Sequence, residues 1–203
     1  MEAVDGGGWE LKTTVAKAVV RFLEKAGVEG HGPGNGSSIY IATNNGHFAR
    51  MGWSCCGALG AKLANPGHPS LAFIGDGSFM MTGLAVATAR EYKIPAVWVI
   101  LNNRTIGIEQ EAMEVIYGRS SFCDSRVAES GASWSLGYVA MDGLMGVAGK
   151  RISVAADFKL ALQNALRGNA PFVLDVDVNP TQEGHRLAIL PIPMDWFRPT
   201  QRV

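Results

Sequence analysis

The chain has 203 residues and a formal net charge of zero, which allows one domain with a sizeable core but not two full-sized α/β domains. It contains no run of lysine and arginine, so nucleic acid is not an expected partner. No apolar run approaches the roughly 18 residues of a membrane span, no signal-peptide pattern is present, and three cysteines do not make a disulfide framework. We therefore expect a reduced, cytoplasmic protein with no membrane association.

The N-terminal part of the chain is predicted to differ from the rest. Residues 1–8 end in three glycines and are expected to be a disordered leader. Residues 9–38 have apolar positions at helical spacing from Trp9 to Ala26, followed by a Gly-rich stretch that we interpret as a loop or linker. The main domain is expected over 39–180, and 181–203 is expected to be a C-terminal tail.

Within the main domain, the pattern predicts strands that alternate with helices. The predicted strands are Ile39–Ala42, Ser70–Ile74, Ala96–Leu101, Tyr138–Met141 and Phe172–Val178, the last of them near an edge of the sheet. The predicted helices are Met51–Leu63, Phe79–Tyr92, a weak one at Arg126–Leu136, and Val154–Leu166, with a short helix over Ile108–Tyr117. This alternation predicts an α/β fold with a doubly wound, mostly parallel sheet flanked by helices.

Local features add detail to these elements. The residues of the second helix that are expected to face the core are Leu84, Ala87 and Thr88. A turn is predicted at Thr43–Gly46 and a Gly-rich insertion at Asp142–Gly149. Ser153 is expected to cap the last helix, because a serine hydroxyl accepts a hydrogen bond from a free N–H of the first turn.

Two polar segments follow two neighbouring predicted strands. Gly75-Asp76-Gly77-Ser78 ends the apolar run Leu71–Ile74 and opens a helix, which places backbone N–H groups around an anion. Asp76 adds a hard oxygen ligand, which indicates a divalent cation shared with a phosphate. Asn102-Asn103-Arg104-Thr105 ends the next strand, and Asn103 lies 27 positions after Asp76. We therefore expect Asp76 and Asn103 at the carboxyl ends of neighbouring parallel strands, where open α/β sheets bind ligands.

These two segments at this spacing resemble the diphosphate-binding signature of thiamine-diphosphate enzymes. The resemblance extends from about Ile39 to Val178 and includes GALGAKLANP, REYKIPAVWVILNN and the closing APFVLDVDVNP. It points to the group of acetolactate synthases, benzoylformate decarboxylases and related enzymes of 2-oxo acids. The resemblance implies thiamine diphosphate and Mg²⁺ as cofactors, a 2-oxo acid or aldehyde as substrate, decarboxylation or carboligation as reaction, and a homodimer or higher oligomer.

The resemblance also implies roles for individual residues. Asp76, the Asn103 side chain and the Thr105 backbone carbonyl match the Mg²⁺ ligands, and oxygen ligands are those that Mg²⁺ prefers. Met51 matches an apolar residue that bends the cofactor between its two rings, and Ala49 matches a position whose backbone carbonyl accepts a hydrogen bond from the cofactor's amino group. The further positions that match cofactor-binding residues are Gly75, Gly77, Ser78, Ile106 and Gly107.

Several residues near these positions have two interpretations. His47 is either an acid/base that faces the cofactor or a histidine in a surface turn. Glu109 is either a catalytic residue that faces the substrate or part of a solvated helix face, and Met51 is either the bending residue or a core residue. The pair Cys55-Cys56 is expected to serve close packing rather than redox chemistry or metal binding, because buried cysteine behaves as a small hydrophobe.

The glutamate that activates the cofactor in the family has no counterpart in this sequence. In the family it belongs to a pyrimidine-binding domain of the facing subunit, and residues 9–38 resemble only the first helix of such a domain. Three explanations remain open. The chain is a split subunit whose partner brings the glutamate, or it carries a natural or engineered internal deletion, or its first helix takes the place of the equivalent helix of the diphosphate-binding domain. The chain is accordingly expected to be an enzyme, alone or with a partner chain, a cofactor-binding module that is inactive alone, or a regulatory fragment.

Overall fold

The computed structural model describes the backbone of residues 40–42 and all atoms of 50–107, 109, 110, 113, 117 and 134–178. The chain divides into two units, Met1–Asn102 with Gly137–Val178, and Asn103–Leu136 with Asn179–Val203. The predictions for the leader, the helix from Trp9, the turn at Thr43–Gly46 and the tail concern residues outside the described part, and the domain boundaries stay predictions.

The first unit is built on a parallel sheet of five strands. They are β1 (Tyr40–Ala42), β2 (Ser70–Gly75), β3 (Ala96–Asn102), β4 (Ala148–Ile152) and β5 (Phe172–Asp177). Their order is β1-β2-β3-β5-β4, and every neighbouring pair is parallel. The helices described in this unit are α1 (Trp53–Ala64), α2 (Asp76–Thr82), α3 (Ala85–Glu91), α4 (Tyr138–Leu144) and α5 (Ala155–Arg167). The predicted α/β fold with a parallel sheet and flanking helices is confirmed.

One face of the sheet packs against α5 through a cluster of apolar side chains. Successive residues of a strand point to opposite faces, so every second residue of β2, β3 and β5 belongs to this layer. The strand residues are Leu71, Phe73, Val97, Val99, Leu174 and Val176, and the α5 residues are Phe158, Ala161, Leu162 and Ala165. This layer is the main hydrophobic core of the unit.

The opposite face carries α1, α2 and α4. The Trp98 indole Nε1–H of β3 donates a hydrogen bond to the Cys55 carbonyl of α1 at 3.1 Å, and the Ser70 hydroxyl of β2 donates to the Ala58 carbonyl at 2.7 Å. Phe79 of α2 meets Tyr138 of α4 edge to face, with ring centroids 5.7 Å apart. This face therefore combines apolar packing with hydrogen bonds between side chains and helix carbonyls.

The predicted helix Phe79–Tyr92 is wrong in its extent, because the structure has two shorter helices there. They are separated at Gly83 and Leu84, and α2 already begins at Asp76. Gly83 is buried against Phe79, since a Cβ at this glycine would lie 2.7 Å from the phenyl ring. Leu84 follows one residue later and points outward, as do Ala87 and Thr88, so the expected inward face is wrong. The buried residues of α3 are Val86 and Ala89.

The largest error concerns the segment before α5. The predicted strand Tyr138–Met141 is helix α4, and the predicted Gly-rich insertion contains the end of that helix and the first two residues of strand β4. Only Ile152 of β4 is buried, so the strand has no apolar run that a sequence pattern could detect. Because β4 occupies the edge, β5 lies inside the sheet, which corrects the expectation of an edge position.

Smaller predictions have mixed outcomes. The N-cap of α5 is Val154, and no side-chain hydrogen bond caps the helix, so the assignment of Ser153 as its cap is wrong. Trp134–Leu136 are not helical, and the rest of the weak helix predicted before them lies outside the described residues. In the second unit the described residues between 107 and 117 are helical, which confirms the predicted short helix there.

Candidate functional site

The two polar segments singled out in the sequence begin at matching points of β2 and β3. Gly75 at the end of β2 pairs in register with Leu101 of β3. Asp76 and Asn102 each come one residue later, so both stand at the carboxyl end of the sheet. The predicted arrangement of the two strands is confirmed, and the approach of Asn103 to Asp76 stays a prediction.

The end of β2 combines open space with a buried carboxylate. Gly75 is exposed, and a Cβ placed on it would have no heavy atom within 4 Å beyond its chain neighbours. Asp76, the first residue of α2, is only 7% exposed. Gly77 and Ser78 are half-buried in the first turn of the same helix. A ligand can therefore approach the backbone of this turn closely, beside an acidic oxygen donor.

Tyr138 lies next to this turn. Its ring packs against Phe79 of α2 at an interplanar angle of 86°. Burial, and then the negative charges of Asp76 and Asp175, raise the pKa of the Tyr138 phenol. Tyr138 is thus a neutral hydroxyl at neutral pH, in the electrostatic neighbourhood of the Asp76 carboxylate.

In the second unit, local contacts hold the segment that begins at Asn103. The Thr105 N–H donates to Asn103 Oδ1 at 3.3 Å, which closes an Asx turn. The Thr105 hydroxyl donates to Gln110 Oε1 at 2.9 Å. Arg104 between them has a left-handed backbone, with φ of 61°. A Cβ at Gly107 would lie only 3.1 Å from Asn103 Nδ2, so a larger residue at this position would crowd the Asn103 amide. The orientation of the Asn103 amide is therefore set within the segment itself.

The remaining predicted site residues are partly accessible to solvent or lie outside the described residues. Met51 is 39% exposed, so its interpretation as a core residue is wrong. Ile106 and Glu109 are exposed, and for Glu109 this fits both the substrate-facing and the solvated interpretation. His47 and Ala49 are not among the described residues, and their proposed roles stay predictions.

A group of buried polar residues on the α1 face was missed by the sequence analysis. Asn102 Nδ2 donates to Asp175 Oδ1 at 2.9 Å, and Arg151 Nη1 donates to Asp175 Oδ2 at 3.2 Å. The only available signal was the alternation of Asp175 and Asp177 with apolar residues, which we interpreted as a strand near an edge of the sheet. The register places Asp175 opposite Ile100 and inside the sheet instead.

Asp142 of α4 is the second acidic residue of this face that sequence reasoning missed. It is fully buried, and neither carboxylate oxygen has a hydrogen-bond partner within the part of the chain that the structure describes. Burial, together with the charge of Asp175, raises the pKa of Asp142 to about 7. A carboxyl in this environment keeps its proton at a pH where an ordinary aspartate has lost it.

The close packing expected of the cysteine pair of α1 is confirmed for Cys55 and wrong for Cys56. Cys55 is buried and Cys56 is exposed, and both are free. Burial is the main cause that raises the pKa of the Cys55 thiol to about 12, which makes it unreactive. The described residues contain no group of three or more His, Cys, Asp or Glu side chains placed to hold a metal ion. Over the same residues, no helix is long and apolar enough to span a membrane.

Comparison with known families and curated sequences identifies consistent relatives. The family described as "Thiamine pyrophosphate enzyme, C-terminal TPP binding domain" matches residues 35–176. A Methanocaldococcus jannaschii protein named "Probable acetolactate synthase large subunit" is 32% identical over 138 residues, which are 68% of this chain and 22% of that protein. The acetolactate synthase isozyme 3 large subunit of Escherichia coli is 29% identical over 164 residues, 78% of this chain and 28% of that protein. A Schizosaccharomyces pombe protein named "Probable pyruvate decarboxylase" is 30% identical over 135 residues, 64% and 21% of the two chains. This chain thus spans between a fifth and a third of the length of these relatives.

A solved structure has the same fold. The thiamine diphosphate-dependent 4-hydroxybenzoylformate decarboxylase of Rhodococcus jostii RHA1 superposes with a TM-score of 0.65 at 23% identity. The match covers 88% of this chain and 34% of that one. At this identity the likeness supports the arrangement of strands and helices and says nothing of the substrate.

Proposed function

This chain belongs to the thiamine pyrophosphate enzymes and carries their C-terminal cofactor-binding domain, and on this premise we propose that it holds the diphosphate end of thiamine diphosphate together with Mg²⁺. The observation that carries the proposal is the end of β2, where open space at Gly75 lies beside the buried carboxylate of Asp76. A glycine turn with an acidic oxygen donor suits a diphosphate that shares a divalent cation.

The chemistry of the available donors fits Mg²⁺. We propose Asp76, the Asn103 side chain and the Thr105 carbonyl as its ligands, all of them hard oxygen donors. Asn103 Oδ1 already accepts the Thr105 N–H, and an amide oxygen has a second lone pair for a cation. Further cofactor contacts are proposed for the residues of both turns, namely Gly75, Gly77, Ser78, Ile106 and Gly107.

The proposed reaction is decarboxylation or carboligation of a 2-oxo acid. When bound, thiamine diphosphate supplies an electron-withdrawing ring that takes up the electron pair released as a carbon–carbon bond next to a ketone breaks. The residues of this chain would orient the cofactor through the Ala49 carbonyl and the Met51 side chain, while His47 and Glu109 would handle protons near the substrate. The names of relatives, among them a pyruvate decarboxylase, support a 2-oxo acid because pyruvate is one.

We further propose that another domain or chain, or a second copy in an oligomer, covers the pyrimidine end of the cofactor. Exposed apolar side chains in two segments support this, namely Met51, Trp53, Met80, Met81 and Leu84. The two segments meet where the Thr82 hydroxyl donates to the Gly52 carbonyl at 2.8 Å. Apolar surface of this kind indicates a contact with another protein surface. The alternative is that the chain binds cofactor but needs such a partner for turnover.

Calorimetric titration of the full chain with thiamine diphosphate, with and without Mg²⁺, tests the cofactor proposal. We expect binding that requires Mg²⁺ and that weakens at least about 100-fold in Asp76→Asn, which loses the charged ligand. Asp157→Asn is the matched control, because Asp157 also lies in the first turn of a helix but is exposed on α5. Equal affinity for thiamine diphosphate with and without Mg²⁺, or unchanged affinity in Asp76→Asn, would refute the proposed Mg²⁺ site.

Release of CO₂ from a 2-oxo acid by the chain alone separates the enzyme from the cofactor-binding module. Cofactor binding without CO₂ release supports the module that needs a partner. Release by the isolated chain supports the enzyme and means that a group of this chain activates the cofactor.

A further inference from the structure

Three side chains connect the solvent-exposed edge strand to the residue that precedes Asn103. Arg151 of β4 donates to Asp175 Oδ2 at 3.2 Å, and Asn102 donates to Asp175 Oδ1 at 2.9 Å. The register explains the contacts, because Arg151 lies directly opposite Asp175 and Asn102 lies opposite Asp177. Residues that face each other across parallel strands point to the same face, so these side chains converge at one end of the sheet.

The three contacting side chains differ in burial, from a partly exposed arginine to two fully buried residues. The side chain of Arg151 is 40% exposed, whereas Asp175 and Asn102 are each only 1% exposed. A buried ion pair adds little stability compared with apolar residues of the same size, because its charges must be removed from water. The presence of Asp175 in the otherwise apolar β5 is therefore poorly explained by stability alone.

Asp175 holds the last residue of β3. The Asn102 side chain donates to it, and the Asn102 carbonyl accepts the Val178 N–H at 3.0 Å, so side chain and backbone of Asn102 are both tied to β5 or to the residue after it. The next residues in sequence are Asn103 and Arg104, and the left-handed backbone of Arg104 is a conformation that its surroundings must enforce.

We propose that Asp175, oriented by Arg151, is a positioning residue that fixes Asn102 and thereby the starting point of the Asn103–Thr105 segment. The inference rests on the proposed function, in which this segment supplies two of the three proposed Mg²⁺ ligands, Asn103 and Thr105. It adds two residues, distant in sequence from Asn103, on which the Mg²⁺-dependent affinity for thiamine diphosphate depends.

Affinity measurements on the full chain test the inference at neutral pH. Asp175→Asn keeps the shape but turns an amide N–H₂ toward the Arg151 guanidinium or toward the Asn102 amide, so one of the two contacts is lost. We expect its Mg²⁺-dependent affinity for thiamine diphosphate to fall at least tenfold. Leu174→Ala is the matched control, because Leu174 is the preceding residue of β5 and faces α5, so the variant should lose stability while its affinity changes less than about twofold.

Arg151 provides a second variant that is easier to fold, because the residue is partly exposed. Arg151→Met should weaken affinity about threefold or more, and Arg151→Lys should restore part of it by returning a positive charge to Asp175. Affinity equal to that of the unchanged chain in both Asp175→Asn and Arg151→Met would overturn the inference. So would a loss in Leu174→Ala as large as that in Asp175→Asn, since the effect would then be one of stability.

Hydrogen exchange without cofactor separates this inference from the proposed function. We expect the Thr105 and Val178 N–H groups to exchange at least about tenfold faster in Asp175→Asn than in the unchanged chain, with a smaller change in Leu174→Ala. Unchanged exchange overturns the positioning role whatever the cofactor does. If exchange is faster in Asp175→Asn but the unchanged chain shows no Mg²⁺-dependent binding of thiamine diphosphate, the positioning role is supported and the function assigned to the segment is overturned.

Discussion

The two faces of the sheet bury different chemistry. The face against α5 buries apolar side chains, with Phe158 and Leu162 at its centre. The face that carries α1, α2 and α4 also buries polar and acidic groups, among them Asn102, Asp142 and Asp175. A polar group removed from water destabilises the fold unless it is paired, and a carboxylate does so most strongly.

This difference indicates a division of tasks between the faces. The α5 face can be explained by packing, because its buried cluster consists of apolar side chains. The other face includes one carboxyl without a hydrogen-bond partner in the described part of the chain, and a buried carboxylate that holds the end of β3. We therefore expect substitutions on the first face to change stability only, and substitutions on the second to change its pH dependence or ligand affinity as well.

The largest expected effect is on the apolar face. Leu162→Ala should lower the free energy of unfolding by about 3 to 5 kcal/mol, because it removes buried methyl groups and leaves a cavity. Leu160→Ala in the same helix is the matched control, since Leu160 is 63% exposed whereas Leu162 is fully buried. Urea denaturation measures both. The division of tasks would be contradicted if Leu162→Ala weakened Mg²⁺-dependent cofactor affinity more than Asp175→Asn does.

The same division explains which parts of the structure the sequence could predict. The strands β2 and β3 were recognised because both of their faces are buried, which leaves a continuous apolar run. Helix α5 was recognised because its buried residues Phe158, Leu162 and Ala165 recur at helical spacing. The strand ends at Asp76 and Asn102 were placed correctly, because parallel strands joined by one crossover must end at the same edge.

The polar face could not be predicted, because its interactions depend on register between distant segments. The hydrogen bond from Asn102 to Asp175 joins residues 73 positions apart, and nothing local marks it. Strand β4 buries only Ile152, and α4 contains Gly143 and the β-branched Val139, so each segment has a weak pattern for its own structure. Tyr138 and Asp142 were misplaced together with α4.

Asp142 gives the polar face a pH dependence. Its pKa rises from an ordinary value of 3.8 to about 7 on folding, so between these values the unfolded chain loses a proton that the folded chain keeps. The free energy of unfolding therefore falls as pH rises through this interval and is constant above it, with a full effect of about 4 kcal/mol. Asp142→Asn cannot ionise, so it should be about 2 to 4 kcal/mol more stable than the unchanged chain at pH 8 and similar to it at pH 3.5.

Urea denaturation at a series of pH values from 3.5 to 8 measures this difference. Glu91→Gln is the control, because it removes an exposed carboxylate at the end of α3. Its curve should run parallel to that of the unchanged chain. If Asp142→Asn also runs parallel, Asp142 ionises in the folded protein as easily as in water, and the polar face carries no electrostatic penalty at this position.

The smallest expected effect concerns a polar group of the same face that is well paired. The Ser70 hydroxyl is buried and donates to the Ala58 carbonyl at 2.7 Å. Ser70→Ala should lower the free energy of unfolding by only about 1 kcal/mol, because Ala58 lies inside α1 and its carbonyl keeps the partner of the helix ladder. Ser153→Ala is the matched control, since Ser153 is exposed and does not cap α5, whereas loss of a true serine cap would reduce stability by about 1 kcal/mol. We expect no measurable change for Ser153→Ala in urea denaturation. A loss in Ser153→Ala equal to that in Ser70→Ala would show that the hydroxyl does cap α5, and a neutral Ser70→Ala would show that the polar face gains nothing from this hydrogen bond.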